Sequence, residues 1–548
     1  MTLIWSSLAL LIQHCLNKKR KEELIMRILL ALLLVLAPIG YSASAQDDAK
    51  IAALKQDVSK LVSANSKLSQ EITDSLFSFS ELGFQEYETQ RYLSEILEGN
   101  DFEVQKGVAG LPSGWWATWG SAHPVIALGT DVDGIPKASQ KPGVAYKDPL
   151  IEGAPGHGEG HNSGMALQIT AALALQDVMK RDNIPGTIVI WPGIAEELVA
   201  GKAFLTREGF FEGVDAVLFT HVSSKSEVNW GKTDGTGLIS VEYTFKGESS
   251  HSAGAPWRGK SALDAVELMN AGWNARREHL HPLQRSHYII SDGGDQPNVV
   301  PQTASVWYYI REMTAENILE NYEKLNKTAE GAALMTDTTV SHRVVGGAWP
   351  RHYNRPIAEA TQANIEAVGM PDWDEKDQIF AKAVQTLAGN EQTGLLTEVS
   401  EIKTPSENPV SGGSDDIGDI SWLVPTITLL YPANIADLGG HNWRNTIAMA
   451  TPVAHKGVQV GAKVMARTMV DLFMKPQLLE DAHKYFNDEQ LKDTTYVPFI
   501  SATEKPAIEK NVDIMAEFKP KLRELYYEPS KYDTYLEQLG ITYPTLPE

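Results

Sequence analysis

Acids and histidines fall at the C-terminal ends of the short apolar runs of this chain, and that coincidence narrows the folds open to it. Four β-rich runs, Pro124 to Leu128, Thr187 to Trp191, Asp215 to Thr220 and Thr426 to Tyr431, are separated by helical stretches such as Met165 to Met179. Strands alternating with helices imply an α/β core built on a mostly parallel sheet. Asp131 and Asp133 follow the first run and Glu196 and Glu197 the second, while His221 ends the third and His441 lies on the loop after the fourth. In an open α/β sheet that edge binds ligands, because its loops converge on a crevice where the strand order switches.

A Gly-rich loop, residues 156 to 162, adds Glu159 and His161 just before the helix that begins near Met165. Two residues apart in extended backbone, these side chains point the same way. Carboxylates and imidazoles suit zinc or manganese, and a pair of such ions needs about four to six protein ligands. Glu159, His161, one of Glu196 and Glu197, His221 and His441 would suffice. Any one of them alone is equally a surface residue or a hydrogen-bonded core histidine; the set at one sheet edge carries the reading. His455 competes with His441 as the last ligand, and His441 is preferred because it follows the fourth run directly. His157 fits either a site role or a hydrogen bond within the loop. Trp115, Trp116 and Trp257 fit either a pocket wall or core and lid packing.

From about Leu238 the rhythm changes to strand, helix, two strands, helix, strand, which predicts a ferredoxin-like βαββαβ unit inserted over residues 238–350. The α/β domain then comprises 46–237 and 351–475, and 476–548, charged and weakly periodic, is expected as a tail on the surface. Residues 1–45 read as a targeting segment: Met26-Arg27, an apolar run from Ile28 to Ala37, and a small-x-small site at Ala43-Ser44-Ala45, with Met26 as an alternative start. The run is too short to span a bilayer, so export with cleavage is expected, to the periplasm or outside the cell. The single cysteine, Cys15, falls in that segment. A formal charge of −22 argues against nucleic-acid and membrane-surface partners, which need clustered Lys and Arg.

Several motifs carry a family resemblance. Phe84-Gln85-Glu86, Asp131-Val132-Asp133-Gly134-Ile135-Pro136, Gly156-His157-Gly158-Glu159-Gly160-His161-Asn162, Ala195-Glu196-Glu197, His251-Ser252-Ala253-Gly254 and Pro297-Asn298-Val299-Val300-Pro301 stand in order along the chain. Together they resemble the metal-dependent amidohydrolase/carboxypeptidase family of aminoacylases, hippurate hydrolases and auxin-conjugate hydrolases. Trp307 to Arg311, Ser414-Asp415-Asp416-Ile417-Gly418-Asp419 and His441-Asn442-Trp443 are similar to its aminobenzoyl-glutamate utilisation branch.

That resemblance implies a metallohydrolase whose inserted unit is a lid and mediates a homodimer. It implies His161, Glu197, His221 and His441 as ligands of one or two divalent ions, Glu196 as general base and Asp133 as an acid orienting a ligand histidine. His251, Asn298 and Arg311 would hold the substrate's carboxylate or the developing oxyanion. One departure stands out: Glu159 replaces a metal-binding cysteine in the glycine-rich loop. A carboxylate still bridges two ions and makes the site harder, whereas loss of the second ion is the alternative outcome. The expected substrate is a small amide: an N-acyl amino acid, an aminobenzoyl-glutamate-like conjugate or a dipeptide. An impaired member acting as a binding protein, and a co-catalytic zinc aminopeptidase, are the rival readings.

Overall fold

The structure, a computed structural model, describes residues 47–233, 235–406 and 412–548. The targeting segment and Cys15 lie outside the described residues. The chain divides into two units, Met1–Asp57 and Val58–Glu548, and everything below concerns the second.

Six strands precede the inserted unit or lead into it: β1 (Glu103–Lys106), β2 (Trp115–Gly120), β3 (Val125–Asp131), β4 (Thr187–Gly193), β5 (Ala216–Ser223) and β6 (Glu227–Val228). After β7 (Gly231–Lys232) come β8 (Gly237–Lys246), β9 (Arg285–Asp292), β10 (Thr303–Glu312) and β11 (Thr339–Ala348), then β12 (His352–Tyr353) and β13 (Thr426–Pro432). The large sheet has the order β1-β2-β4-β3-β5-β13-β6. Its centre is parallel: β3 pairs with β4 and β5, and β5 with β13. The antiparallel edge strands β1, β2 and β6 were not expected; they are short, or rich in Trp and Gly, and carry no alternating apolar pattern.

The central strands are apolar almost without a break because helices cover the sheet. The helix Gly164–Asp182 is buried along most of its length and packs against the helices Ser66–Phe79 and Pro452–Met474. Gly129 on β3 makes room for the side chain of its cross-strand neighbour on β4: a Cβ there would stand 2.2 Å from the Trp191 ring.

Strands β8 to β11 form a separate antiparallel sheet in the order β11-β8-β10-β9, with the helices Ala262–Arg276 and Ala315–Thr336 packed on it. In sequence order that is 4-1-3-2, the ferredoxin-like arrangement. The second helix starts where the Thr314 side chain accepts the Asn317 N–H and stops at left-handed Asp337.

Residues 476–548 differ from the expected surface tail, because they contribute to the core. Met515, Phe518 and Leu522, on the helix Val512–Arg523, bury against Leu82 and Ala154. Tyr526 packs tilted against Phe79, and Tyr535 meets Phe77 edge to face. Asp74 accepts the Tyr535 N–H at 3.0 Å, and the Lys519 ammonium meets Glu81 at 2.5 Å. Few apolar residues, spread over loops, do this packing, so no periodicity announces it. Among the described residues no helix is long and apolar enough to cross a membrane.

Candidate metal centre and cleft

The C-terminal ends of β3, β4, β5 and β13 open on one cleft. Two residues beyond β3 stands Asp133. Beyond β4 the backbone forms a single turn, Glu196–Leu198, between Ala195 (φ 52°) and Val199 (φ 51°). Left-handed backbone at such residues costs about 1–3 kcal/mol each and persists only when its surroundings impose it. Buried acids do so here. Glu86 accepts the Ala195 N–H at 2.9 Å, Asp133 Oδ2 the Glu197 N–H at 3.1 Å, and Asp416 Oδ2 the N–H groups of Gly201 and Lys202.

Around that turn the expected ligands gather. His161 Nε2 lies 3.5 Å from His221 Nε2 and 3.7 Å from Glu159 Oε2. His161 Nδ1 faces Asp133 Oδ1 at 3.5 Å and Glu197 Oε1 at 3.9 Å. His441, itself left-handed at φ 56°, puts Nε2 3.3 Å from Glu159 Oε2 and Nδ1 3.6 Å from Glu197 Oε2. One ligand atom from each of Glu159, His161, Glu196 and Glu197 lies within 4.8 Å of the others, and the same holds for Glu159, His161 and His221. Glu159 thus faces the cluster from the position where relatives are expected to carry cysteine.

These residues fit a divalent ion. Glu197 Oε1 and His161 Nδ1 are buried without a hydrogen-bond partner, and imidazole nitrogens and carboxylate oxygens converge on a shared space. Buried polar atoms in such a state call for a cation or water. The electrostatics agree. Burial drives the carboxyls of Glu196 and Glu197 well above their usual range, with neighbouring acids adding to it. Burial also acts to raise Glu159, but the His441 hydrogen bond and the His161 and His221 rings outweigh it and hold its carboxyl low. His161 is opposed by burial, yet Asp133 and the surrounding acids push it up to about 10. Burial pulls His221 down, which favours the neutral form that binds metal.

The cleft above this centre has a volume of about 860 Å³. The inserted unit contributes Tyr309, His287 and Arg311 to its wall, and Trp230, Arg351 and Tyr353 line it from the α/β side. Arg311 is held in place: Nη1 donates to Ser414 Oγ at 2.9 Å, and Nε donates to His287 Nε2 at 3.2 Å.

His251 and Asn298 do not reach this cleft. Their segments pair with each other, since His251 forms a bridge to Val299 and the Ser252 N–H donates to the Asn298 carbonyl. The register explains their distance. Arg311 faces Leu238 at the start of β8, whereas Thr303 faces Lys246 at its end. Those eight steps of extended chain span about 27 Å, and both residues lie beyond the far end. His455 is also elsewhere, with Nε2 2.6 Å from Asp74 Oδ1. His157 donates from Nε2 to the Leu76 carbonyl, and burial lowers its pKa to about 3. Trp115 and Trp116 are core residues; Trp257 is 77% exposed.

Sequence reasoning missed Tyr309, Lys202 and Asp415. Tyr309 had a signal, being two residues from Arg311 on one strand and so on the same face. Asp415 stood in a family motif without an assigned role.

The family model for the peptidase dimerisation domain of M20 proteins matches residues 235–333, most of the inserted unit short of its last strand. One of the chains of p-aminobenzoyl-glutamate hydrolase from Escherichia coli (strain K12) is 32% identical over 448 residues, covering 77% of this chain and 92% of that protein. The chain belongs to the M20 family. This M20 protein is a hydrolase acting on amide bonds. It is also 27% identical over 436 residues to the Xaa-Arg dipeptidase of Mus musculus, covering 77% of this chain and 90% of the relative. A crystal structure of a Staphylococcus aureus protein described as an aminohydrolase shares the fold of this M20 chain, with a TM-score of 0.53 at 18% identity over 76% of this chain and 99% of that one.

Proposed function

We propose that the protein is an exported, metal-dependent amidohydrolase that cleaves an N-acyl amino acid, an aminobenzoyl-glutamate-like conjugate or a dipeptide. The observation that carries this reading is the Glu196 carboxylate, held on a strained turn within 4.8 Å of ligand atoms of Glu159, His161 and Glu197. Glu159, His161, Glu197, His221 and His441 would hold one or two ions, and their hard oxygen and imidazole donors favour zinc or manganese. Such an ion would supply a water of lowered pKa and would polarise the amide carbonyl. Glu196 then acts as general base, taking the water's proton and handing it to the leaving nitrogen. Asp133, with Oδ1 3.5 Å from His161 Nδ1, is placed to orient that ring. Arg311 is the cation for a substrate carboxylate, since its planar fork offers two parallel hydrogen bonds. The name of the Escherichia coli relative supports an aminobenzoyl-glutamate-like conjugate, and a cleft of about 860 Å³ leaves room for an aryl group.

The basic and apolar pattern of residues 26–45 supports export. A homodimer through the inserted unit is supported by the family match and by Ile289 and Ile290, exposed on edge strand β9. In such a dimer His251 and Asn298, out of reach of their own cleft, are available to another copy.

The deciding experiment is Glu196→Gln in protein loaded with Mn²⁺ or Zn²⁺. Metal content measured by mass spectrometry should be unchanged, while turnover of N-acyl amino acids falls about 10²- to 10⁴-fold. Wild-type turnover in this variant assigns the base elsewhere.

A further inference from the structure

At the floor of the cleft a second group of acids, sharing Glu196 with the first, converges on a cation that the chain itself supplies. One oxygen from each of Asp131, Glu196 and Asp415 lies within 4.8 Å of the others, and all three residues are buried. Three carboxylates so close in a low dielectric repel one another unless a cation stands among them. Lys202 is fully buried and brings Nζ 2.5 Å from Asp131 Oδ1 and 3.4 Å from Asp415 Oδ1, and it also donates to Asp416 Oδ1. The Phe219 ring lies 4.9 Å from the same ammonium.

The backbone is shaped around this contact. At Gly193, the last residue of β4, a Cβ would stand 1.8 Å from Asp131 Oδ1 and 2.9 Å from Lys202 Nζ. Asp416 binds Lys202 twice, through the side chain and through the backbone N–H. Glu196 begins the turn that leads into Lys202, so two routes join them: the loop itself, and the carboxylates of Asp131 and Asp415.

We propose that Lys202 is a positioning residue for Glu196: its ammonium holds Asp131 and Asp415 as a rigid backing against which the Glu196 carboxylate is kept facing the cleft. This rests on the reading of Glu196 as the general base. A lysine that merely neutralised Asp416 would leave Glu196 unaffected once that charge was also removed, which gives the test.

The assay compares wild type, Glu196→Gln, Lys202→Met, the double variant Lys202→Met/Asp416→Asn, and Asp415→Asn, all metal-loaded. The double variant removes one ammonium and one carboxylate together, and Asp415→Asn, which keeps Lys202, tests the proposal even where neither lysine variant folds. Its metal content and KM should stay within twofold of wild type while kcat falls at least 30-fold. Asp415→Asn, which keeps Lys202 paired to Asp131 and Asp416, should lower kcat at least tenfold at unchanged KM. Recovery of kcat together with thermal stability in the double variant overturns the proposal, as does full kcat in Asp415→Asn. Full turnover in Glu196→Gln overturns instead the assignment of the base.

Discussion

The Glu86 carboxylate accepts the backbone N–H of Ala195 at 2.9 Å, so an acid at the start of the helix Tyr87–Glu98 holds the residue just before the Glu196–Glu197 pair. Its other oxygen accepts the Ser113 hydroxyl at 2.7 Å. Burial, reinforced by Asp133, pushes its pKa from about 4.5 up to about 8. The turn that carries the candidate base is thus fastened from outside by a carboxyl that retains its proton near neutrality.

That shift gives a pH dependence of defined sign. With a folded value above the unfolded one, the folded chain holds the proton over a range where the unfolded chain has lost it. The contribution is complete below about pH 4.5 and falls as pH rises towards 8, at up to about 1.4 kcal/mol per unit. In metal-free protein, Glu86→Gln should therefore lose less stability than wild type between pH 5 and pH 8. Parallel Tm–pH curves would show that Glu86 is ionised throughout.

Glu159 faces both His161 and His441, so it is placed to share two ions. Glu159→Ala should reduce bound Mn²⁺ or Zn²⁺ from two ions per chain to one, and Glu159→Cys should restore the second with a preference for zinc. Two ions in the alanine variant would make Glu159 a neighbour only, and a single ion in the wild type would make the centre mononuclear.

Arg311 reaches the cleft wall from the inserted unit. Each charge-assisted hydrogen bond to a carboxylate contributes roughly 1.5 to 3 kcal/mol. Arg311→Ala should then raise KM about ten- to hundredfold for substrates with a free α-carboxylate, with little change for the matching amides or esters. Equal losses for both classes would make Arg311 structural.

If the homodimer proposed above brings His251 to another copy's cleft, two inactive variants should complement. Glu196→Gln mixed in equal amounts with His251→Ala, after exchange of protomers, should regain about a quarter of wild-type activity, because half the dimers are hybrids with one complete site. Absence of recovery despite demonstrated exchange would remove His251 from catalysis in trans.

The amino-acid sequence by itself determined the layout: apolar β-rich runs of the right length made a parallel sheet, and the acids and histidines after them were bound to share its C-terminal edge. Glu196, Glu197, His221 and His441 were legible for that reason, Glu159 and His161 from their spacing in the glycine-rich loop before a helix, and the inserted unit from its βαββαβ order. Only the tertiary structure decided which candidates meet across long separations. It took Arg311 into the cleft and left His251 and Asn298 at the far end of their sheet, because strand register, invisible in composition, sets which end of β8 faces the cleft. It also paired Lys202 with Asp131 and Asp415, and set Tyr535 on Asp74 across more than four hundred residues. A buried charge or an isolated aromatic has no periodic signature in one dimension; its partner is chosen by packing, where leaving it unpaired would cost more than any local preference can offset.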